Sequence, residues 1–297
     1  MQLADLVNFI SDKKKPVRLS IAAAHDKYLL EAVIKTLKLG LTVPIFIGNK
    51  VVIQQHLASA DIDVNSLEII DETDEYEICK LATGLVARNE ADILCKGLVN
   101  TKIFMKEVLN RQHNLLQSEL LSHLAIFETP YYEKLIGITD AALNILPDID
   151  KKKSIITNAI PVFHKLNVEK PKVALLSASE KVNLKIQSSI EADVLKKWFE
   201  TNNNGNFIVD GPLALDNAIS IESARHKNIK SEVAGNADLL VVPNIESGNV
   251  LYKSLNFLGG AISASVVLGA RVPIVLTSRS DTPETKFDSI ALAASIL

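Results

Sequence analysis

Residues 273–292 read PIVLTSRSDTPETKFDSIAL. The apolar run from Ile274 to Leu276 stops at Thr277-Ser278-Arg279, and helical periodicity resumes near Phe287. That pattern predicts strand, loop and helix. In open α/β sheets ligands bind beyond the carboxyl ends of strands, so two hydroxyls and a guanidinium placed there form a candidate anion site. The competing reading is that Thr277 or Ser278 only caps the helix and Arg279 is solvated.

The same unit recurs along the chain. Val17 to Ala23 is an apolar run of strand length, and His25-Asp26 opens a helix whose apolar positions Leu29, Ala32, Val33 and Leu37 stop at Gly40. Val43 to Ile47 is the next strand, so the succession predicts a parallel, right-handed crossover. Further strands are predicted at Leu67 to Ile70, Ala91 to Lys96, Leu120 to Phe127, Val173 to Leu176, Phe207 to Val209 and Leu239 to Val242. The Phe207 strand ends in Asp210-Gly211-Pro212, and Gly248-Asn249 precedes a helix carrying Tyr252 and Lys253. Alternating elements of this kind describe a doubly wound α/β protein. Asp26 reads as a helix cap, and His25 lies where a ligand could be reached. Lys96 and Lys106 are candidate phosphate-holding cations, although Lys106 taken alone also reads as a solvated surface lysine.

At 297 residues the chain exceeds the length at which a single core stops growing, so two domains are expected. With 47% hydrophobic and 23% charged residues it can pack an interior. Net charge is -3, and the longest basic runs are Lys13-Lys14-Lys15 and Lys151-Lys152-Lys153, which gives nucleic-acid or membrane-surface binding no support. The N-terminal segment lacks a cleavage signal and no apolar run is long enough to span a bilayer, so a cytoplasmic location is expected. Cys79 and Cys95 are too few and too far apart for a zinc site, and both are read as reduced core thiols. The G-x-G-x-x-G, G-x-x-x-x-G-K-[ST], H-E-x-x-H and G-x-S-x-G signatures are absent, and no metal is expected. The apolar run GGAISASVVLGA could serve an interface or the core.

Six runs, AAAHDKYLLEA, ADILCKGLVNTKIFMKEVL, GITDAALNI, VDGPLALDNAIS, VVPNIESGNVLYKSL and VPIVLTSRSDTPETKFDSIALA, resemble the phosphate acetyl/butyryltransferase family, most closely its butyryltransferase branch. They extend from near residue 20 to the C-terminus, and the last two are the most specific. The resemblance implies reversible transfer of a short acyl group between coenzyme A and inorganic phosphate. It also implies the two-domain α/β fold of the isocitrate and isopropylmalate dehydrogenases, with the active site in a cleft between domains. Residues 1–131 plus 269–297 would form the first domain and 132–268 the second. Coenzyme A is a substrate in this reading, no cofactor is implied, and a homodimer is.

Within the resemblance, Ser278 donates a hydrogen bond to the reacting carbonyl or sulfur, and Arg279 holds phosphate oxygens, a task suited to its planar fork. Thr277, Lys106, Asn249 and Lys253 are the candidate substrate-binding residues: Lys106 falls where acetyltransferases carry an arginine that helps bind phosphate, and Lys253 near a lysine associated with coenzyme A. Two positions depart from the acetyltransferase pattern: Thr285 stands where an aspartate base is found, and Leu120-Leu121 where a further arginine falls. These departures weigh against the acetyl branch and leave Glu284 as the candidate base, with Asp281 and Asp288 in reserve and a plain surface glutamate as the competing reading. The alternatives are a phosphate acetyltransferase or other short-acyl phosphotransferase, a non-catalytic acyl-coenzyme A-binding regulatory protein, and a metal-dependent hydroxyacid dehydrogenase of the same fold.

Overall fold

The computed structural model describes residues 1–11, 16–278 and 280–297. Lys13-Lys14-Lys15 and Arg279 therefore lie outside the described residues. The chain divides into two compact units, the first formed by Leu3–Gln117 and Ala264–Leu297, the second by Met1–Gln2 and Ser118–Ser263. No helix among the described residues is long and apolar enough to cross a membrane.

The elements follow chain order. Helix α1 (Leu6–Ser11) precedes β1 (Val17–Ala22), α2 (Lys27–Lys38), β2 (Thr42–Gly48), α3 (Lys50–Ser59), β3 (Glu68–Asp71), α4 (Glu75–Ala87), β4 (Ile93–Lys96) and α5 (Thr101–Val108). The second unit holds β5 (Ser122–Thr129), β6 (Tyr132–Thr139), α6 (Ile149–Lys165), β7 (Lys172–Leu176), α7 (Gln187–Asn202), β8 (Ile208–Leu213), α8 (Leu215–Ile219), α9 (Ile221–His226), β9 (Leu239–Val241) and α10 (Ile245–Phe257). The chain then returns through β10 (Ile262–Leu268), β11 (Ile274–Val275) and α11 (Pro283–Ser295).

In the first unit the strand order is β3-β2-β1-β4-β11-β10. Strands β1 to β4 and β11 run parallel, and β10 runs antiparallel to β11. Central β1 buries Leu19, Ile21 and Ala22 completely, as expected where helices cover both faces of a parallel sheet. Helix α2 packs Leu29, Leu30, Ala32 and Val33 inward, and Asp26 caps it by accepting from the Leu29 N–H at 2.7 Å. Helix α11 is buried from Lys286 to Ser295 except at Asp288, and the Lys35 ammonium lies 3.9 Å from the centroid of its Phe287 ring.

In the second unit the order is β5-β6-β9-β7-β8, with β5 antiparallel to β6 and the other pairs parallel. Strand β5 belongs with this unit because it pairs with β6, so the compact unit begins before the limit near 131 that the resemblance implies. Its core is Phe127, Ile136, Ile138, Leu213, Leu240 and Val242, with Tyr252 packed against it. Two sequence-based expectations change. Strand β8 does not end at Asp210-Gly211-Pro212 but runs on to Leu213, because it is an edge strand with a register shift between Ala174 and Leu176, where a missing N–H is tolerated. Helix α10 begins at Ile245 rather than after Asn249, because Asn244 and Ser247 close a reciprocal capping box four residues earlier. The GGAISASVVLGA run contributes β10, buried from Ser263 to Leu268.

Candidate active site

In the first unit, register fixes what meets at the carboxyl edge. Ala22 of β1 is level with Lys96 of β4, and Cys95 of β4 with Val275 of β11, so Lys96 stands level with Leu276, one residue before Thr277. The Gly97 N–H donates to the Ala22 carbonyl at 2.7 Å and the Leu98 N–H to that of Ala23 at 2.9 Å. Only glycine fits at 97, because a Cβ there would lie 2.2 Å from the Ala23 carbonyl oxygen. Lys96 is itself buried, and its ammonium donates to the Gly97 carbonyl at 3.2 Å.

His25 stands beside this edge. Its Nδ1 is buried and has no hydrogen-bond partner among the described residues, and burial lowers its pKa against the opposing pull of Asp26 and Glu75.

The loop after β11 carries the decisive detail. The cap of α11 is Thr282, whose hydroxyl accepts from the Thr285 N–H at 3.2 Å, with Pro283 at the first helical position. The helix end is therefore satisfied without Thr277 or Ser278. Ser278 is exposed; its N–H donates to Asp281 at 2.7 Å, and its hydroxyl lies 3.0 Å from that of Ser280. Thr277 is buried, and its hydroxyl accepts at 3.2 Å from the Lys286 ammonium, which also donates to the Ser278 carbonyl at 2.8 Å.

Glu284 is exposed in the first turn of α11, near enough in sequence to serve this loop but with no hydrogen bond to it among the described residues. Thr285 is spent on the helix entrance, where its N–H meets Thr282 and its carbonyl accepts from Ser289. Of the reserve carboxylates, Asp281 holds the Ser278 backbone and Asp288 lies two residues beyond Lys286 on α11. Lys106, exposed on α5, has its ammonium 5.7 Å from the centroid of the Tyr76 ring, and no hydrogen bond joins it to Thr277 or Ser278 among the described residues. Leu121 is buried and Leu120 is half-buried, so aliphatic groups stand where the missing arginine would fall.

In the second unit, Asn249 and Lys253 are both exposed on α10, one turn apart, as a surface for a ligand requires. The Asn249 amide reaches the Ala141 carbonyl at 3.4 Å. Between them Tyr252 is anchored, its ring edge-on to Phe127 at 5.2 Å and to His123 at 6.1 Å. The helix sits close to β6 because Gly248 has no side chain: a Cβ would meet the Asp140 carbonyl oxygen at 2.9 Å. Asp140 organises this corner. Buried, its carboxylate accepts from the backbone of His123 (3.0 Å), Ala142 and Leu143 (2.9 Å each) and from the Asn144 amide (2.6 Å).

Sequence reasoning passed over Lys286 and Asp140. A lysine inside the apolar stripe that continues through Phe287 and Ile290 was the available signal for the first; for the second it was an aspartate closing the apolar run Leu135 to Ile138.

Both cysteines are free and buried, and burial pushes each thiol up to about 12. Thiolate is the reactive form, so neither is expected to react with a disulfide reagent at pH 8 until the protein is denatured, when two thiols should appear. Rapid reaction of the native protein would contradict this burial.

Comparison with known proteins gives concordant results. The family model described as phosphate acetyl/butaryl transferase matches residues 73–294. The phosphate butyryltransferase of Clostridium acetobutylicum is 40% identical over 281 residues, 95% of this chain and 93% of that protein. The crystal structure of a branched-chain phosphotransacylase from Enterococcus faecalis V583 superposes with a TM-score of 0.83 at 37% identity, covering 94% of this chain and 99% of that one. A 4-hydroxythreonine-4-phosphate dehydrogenase structure from Klebsiella pneumoniae superposes with a TM-score of 0.59 at 13% identity over 95% of this chain and 99% of the other, a likeness of fold alone that bears out the dehydrogenase-like architecture.

Proposed function

The chain belongs to the phosphate acetyl/butyryl transferase family, and from that premise we propose that it moves a short acyl group, butyryl foremost, reversibly between coenzyme A and inorganic phosphate. The observation that supports this reading is Ser278: its side chain is exposed beyond a sheet's carboxyl edge and not consumed by the helix cap, while its backbone carbonyl accepts from a buried ammonium.

The thiol of coenzyme A is a weak nucleophile at neutral pH, so a carboxylate, Glu284, takes its proton as sulfur attacks the acyl-phosphate carbonyl. The carbon–sulfur bond forms, the bond from carbon to the phosphate oxygen breaks, and phosphate leaves held by Arg279, Lys106 and Thr277. Ser278 donates to the carbonyl oxygen while negative charge grows on it. In the reverse direction phosphate attacks the thioester. Asn249 and Lys253 bind coenzyme A. Both substrates are bound together, so proximity supplies much of the rate and no covalent acyl-enzyme forms. No cofactor takes part. The proposal retains a cytoplasmic homodimer and functional domains of 1–131 plus 269–297 and 132–268.

The test is thiol release from acetyl-, butyryl- and longer acyl-coenzyme A with and without inorganic phosphate. Phosphate-dependent release, fastest with butyryl, is expected; binding of the thioester without such release would instead favour a regulatory protein. Glu284→Gln is expected to lower kcat about a hundredfold with KM for phosphate little changed, as removal of a general base does. An unchanged kcat would remove Glu284 from the mechanism.

A further inference from the structure

Lys286 has no part in that scheme, yet it is 3% exposed. Its ammonium donates to two uncharged oxygens, Thr277 Oγ1 and the Ser278 carbonyl, and no carboxylate lies within ion-pair distance of it among the described residues. Burying a charge costs several kcal/mol unless an opposite charge or full hydrogen bonding offsets it. Two neutral acceptors leave that cost only partly offset, so the position is completed best when an anion arrives.

The same contacts tie the lysine to the reacting loop. The Ser278 N–H is held by Asp281 at 2.7 Å and its carbonyl by Lys286 at 2.8 Å, so the backbone of this residue is fixed on both sides while its side chain stays exposed. Phe287 and Ile290 bury the neighbouring stripe of α11, so an aliphatic side chain at 286 would pack there at no desolvation cost.

We propose that Lys286 is a positioning residue for acyl transfer: it fixes Ser278 in register with the reacting carbonyl and gives the phosphate side of the reaction a buried positive charge. This rests on the acyl-transfer reading above. Because its effect on turnover runs through Ser278, it should matter little to kcat once that hydroxyl is gone, while its effect on phosphate affinity persists.

The experiment compares wild type, Lys286→Met, Ser278→Ala and the double variant, with kcat and both KM values measured in the direction of thioester plus phosphate. Inorganic phosphate binding is measured separately by calorimetry. Lys286→Met is expected to lose roughly ten- to a hundredfold in kcat and about tenfold in phosphate affinity, the range for a lost charged hydrogen bond, with KM for butyryl-coenzyme A within about twofold. The double variant should be no slower than Ser278→Ala, a non-additivity that a purely structural lysine does not produce. Lys286→Arg should recover much of the loss. A folded Lys286→Met with wild-type kcat and phosphate affinity, or full additivity with Ser278→Ala, overturns the proposal. Should Lys286→Met fail to fold, Lys286→Gln, one atom shorter but keeping an N–H donor group without the charge, is read by the same criteria. If the wild type shows no phosphate-dependent thiol release, the acyl-transfer reading fails, and the calorimetric comparison alone decides whether Lys286 serves a phosphate site.

Discussion

Replacing Arg279 with alanine is expected to lower kcat/KM for phosphate by about two to three orders of magnitude, the loss seen when a preorganised donor to a developing oxyanion is removed. The residue follows Ser278 directly, and its type is what the chemistry asks for. A guanidinium binds two phosphate oxygens in a planar fork, keeps its charge at any working pH and is desolvated more readily than an ammonium. Lysine cannot reproduce the fork, so Arg279→Lys should recover only part of the activity. If the side chain serves the ligand as proposed, the circular-dichroism melting curve should not move. Steady-state kinetics at varied phosphate decide the matter: wild-type turnover in Arg279→Ala would remove it from the reaction.

The second large effect is on stability. Asp140→Ala is expected to cost about 3 kcal/mol, because one buried carboxylate serves three backbone N–H groups and the Asn144 amide, and its loss strands donors that water reaches poorly. For a chain of this size that corresponds to a fall of roughly 6–12 °C in the thermal midpoint. Asp140→Asn keeps one oxygen acceptor and should lose less. Under the proposed function activity should fall as well, since the Asp140 carbonyl lies where a Cβ at Gly248 would collide, and loosening this corner is expected to shift the helix that carries Asn249 and Lys253. Thermal melts of the two variants check the ranking; equal midpoints for Asp140→Ala and wild type would contradict it.

The parts that were legible in the sequence are those in which local chemistry and the fold agree. β1, α2 and β2 announce themselves by an apolar run, a capped amphipathic helix and a second run, and Asp26 performs the capping its type predicts. The strand, loop and helix at 273–292 are likewise found in place. Where the reading slipped, a partner distant in sequence decided the outcome. Tyr132–Thr139 went unassigned because its strand character depends on pairing with β5 and β9. Pro212 looked like a stop, yet an edge strand accommodates it. The competing cap at Thr277 or Ser278 and the helix start after Asn249 both give way to Thr282 and Asn244, each of which has its own downstream partner. Lys286 was passed over because composition does not reveal which lysine a helix will turn inward; only its place in the apolar stripe marks it, and α11 turns it toward the loop it follows.

The first unit is assembled from Leu3–Gln117 and a stretch that begins at Ala264. On the ribosome, some 150 residues must emerge between the two pieces, and until they do β4 has no β11 beside it and α2 lacks the helix it packs against. The nascent N-terminal part therefore waits with an open sheet flank and an uncovered apolar surface, a situation that invites chaperone binding. Ser278 arrives on the same late segment that closes this gap, so a molecule released with its last strand and helix missing would be both unfinished as a domain and devoid of the loop proposed to react.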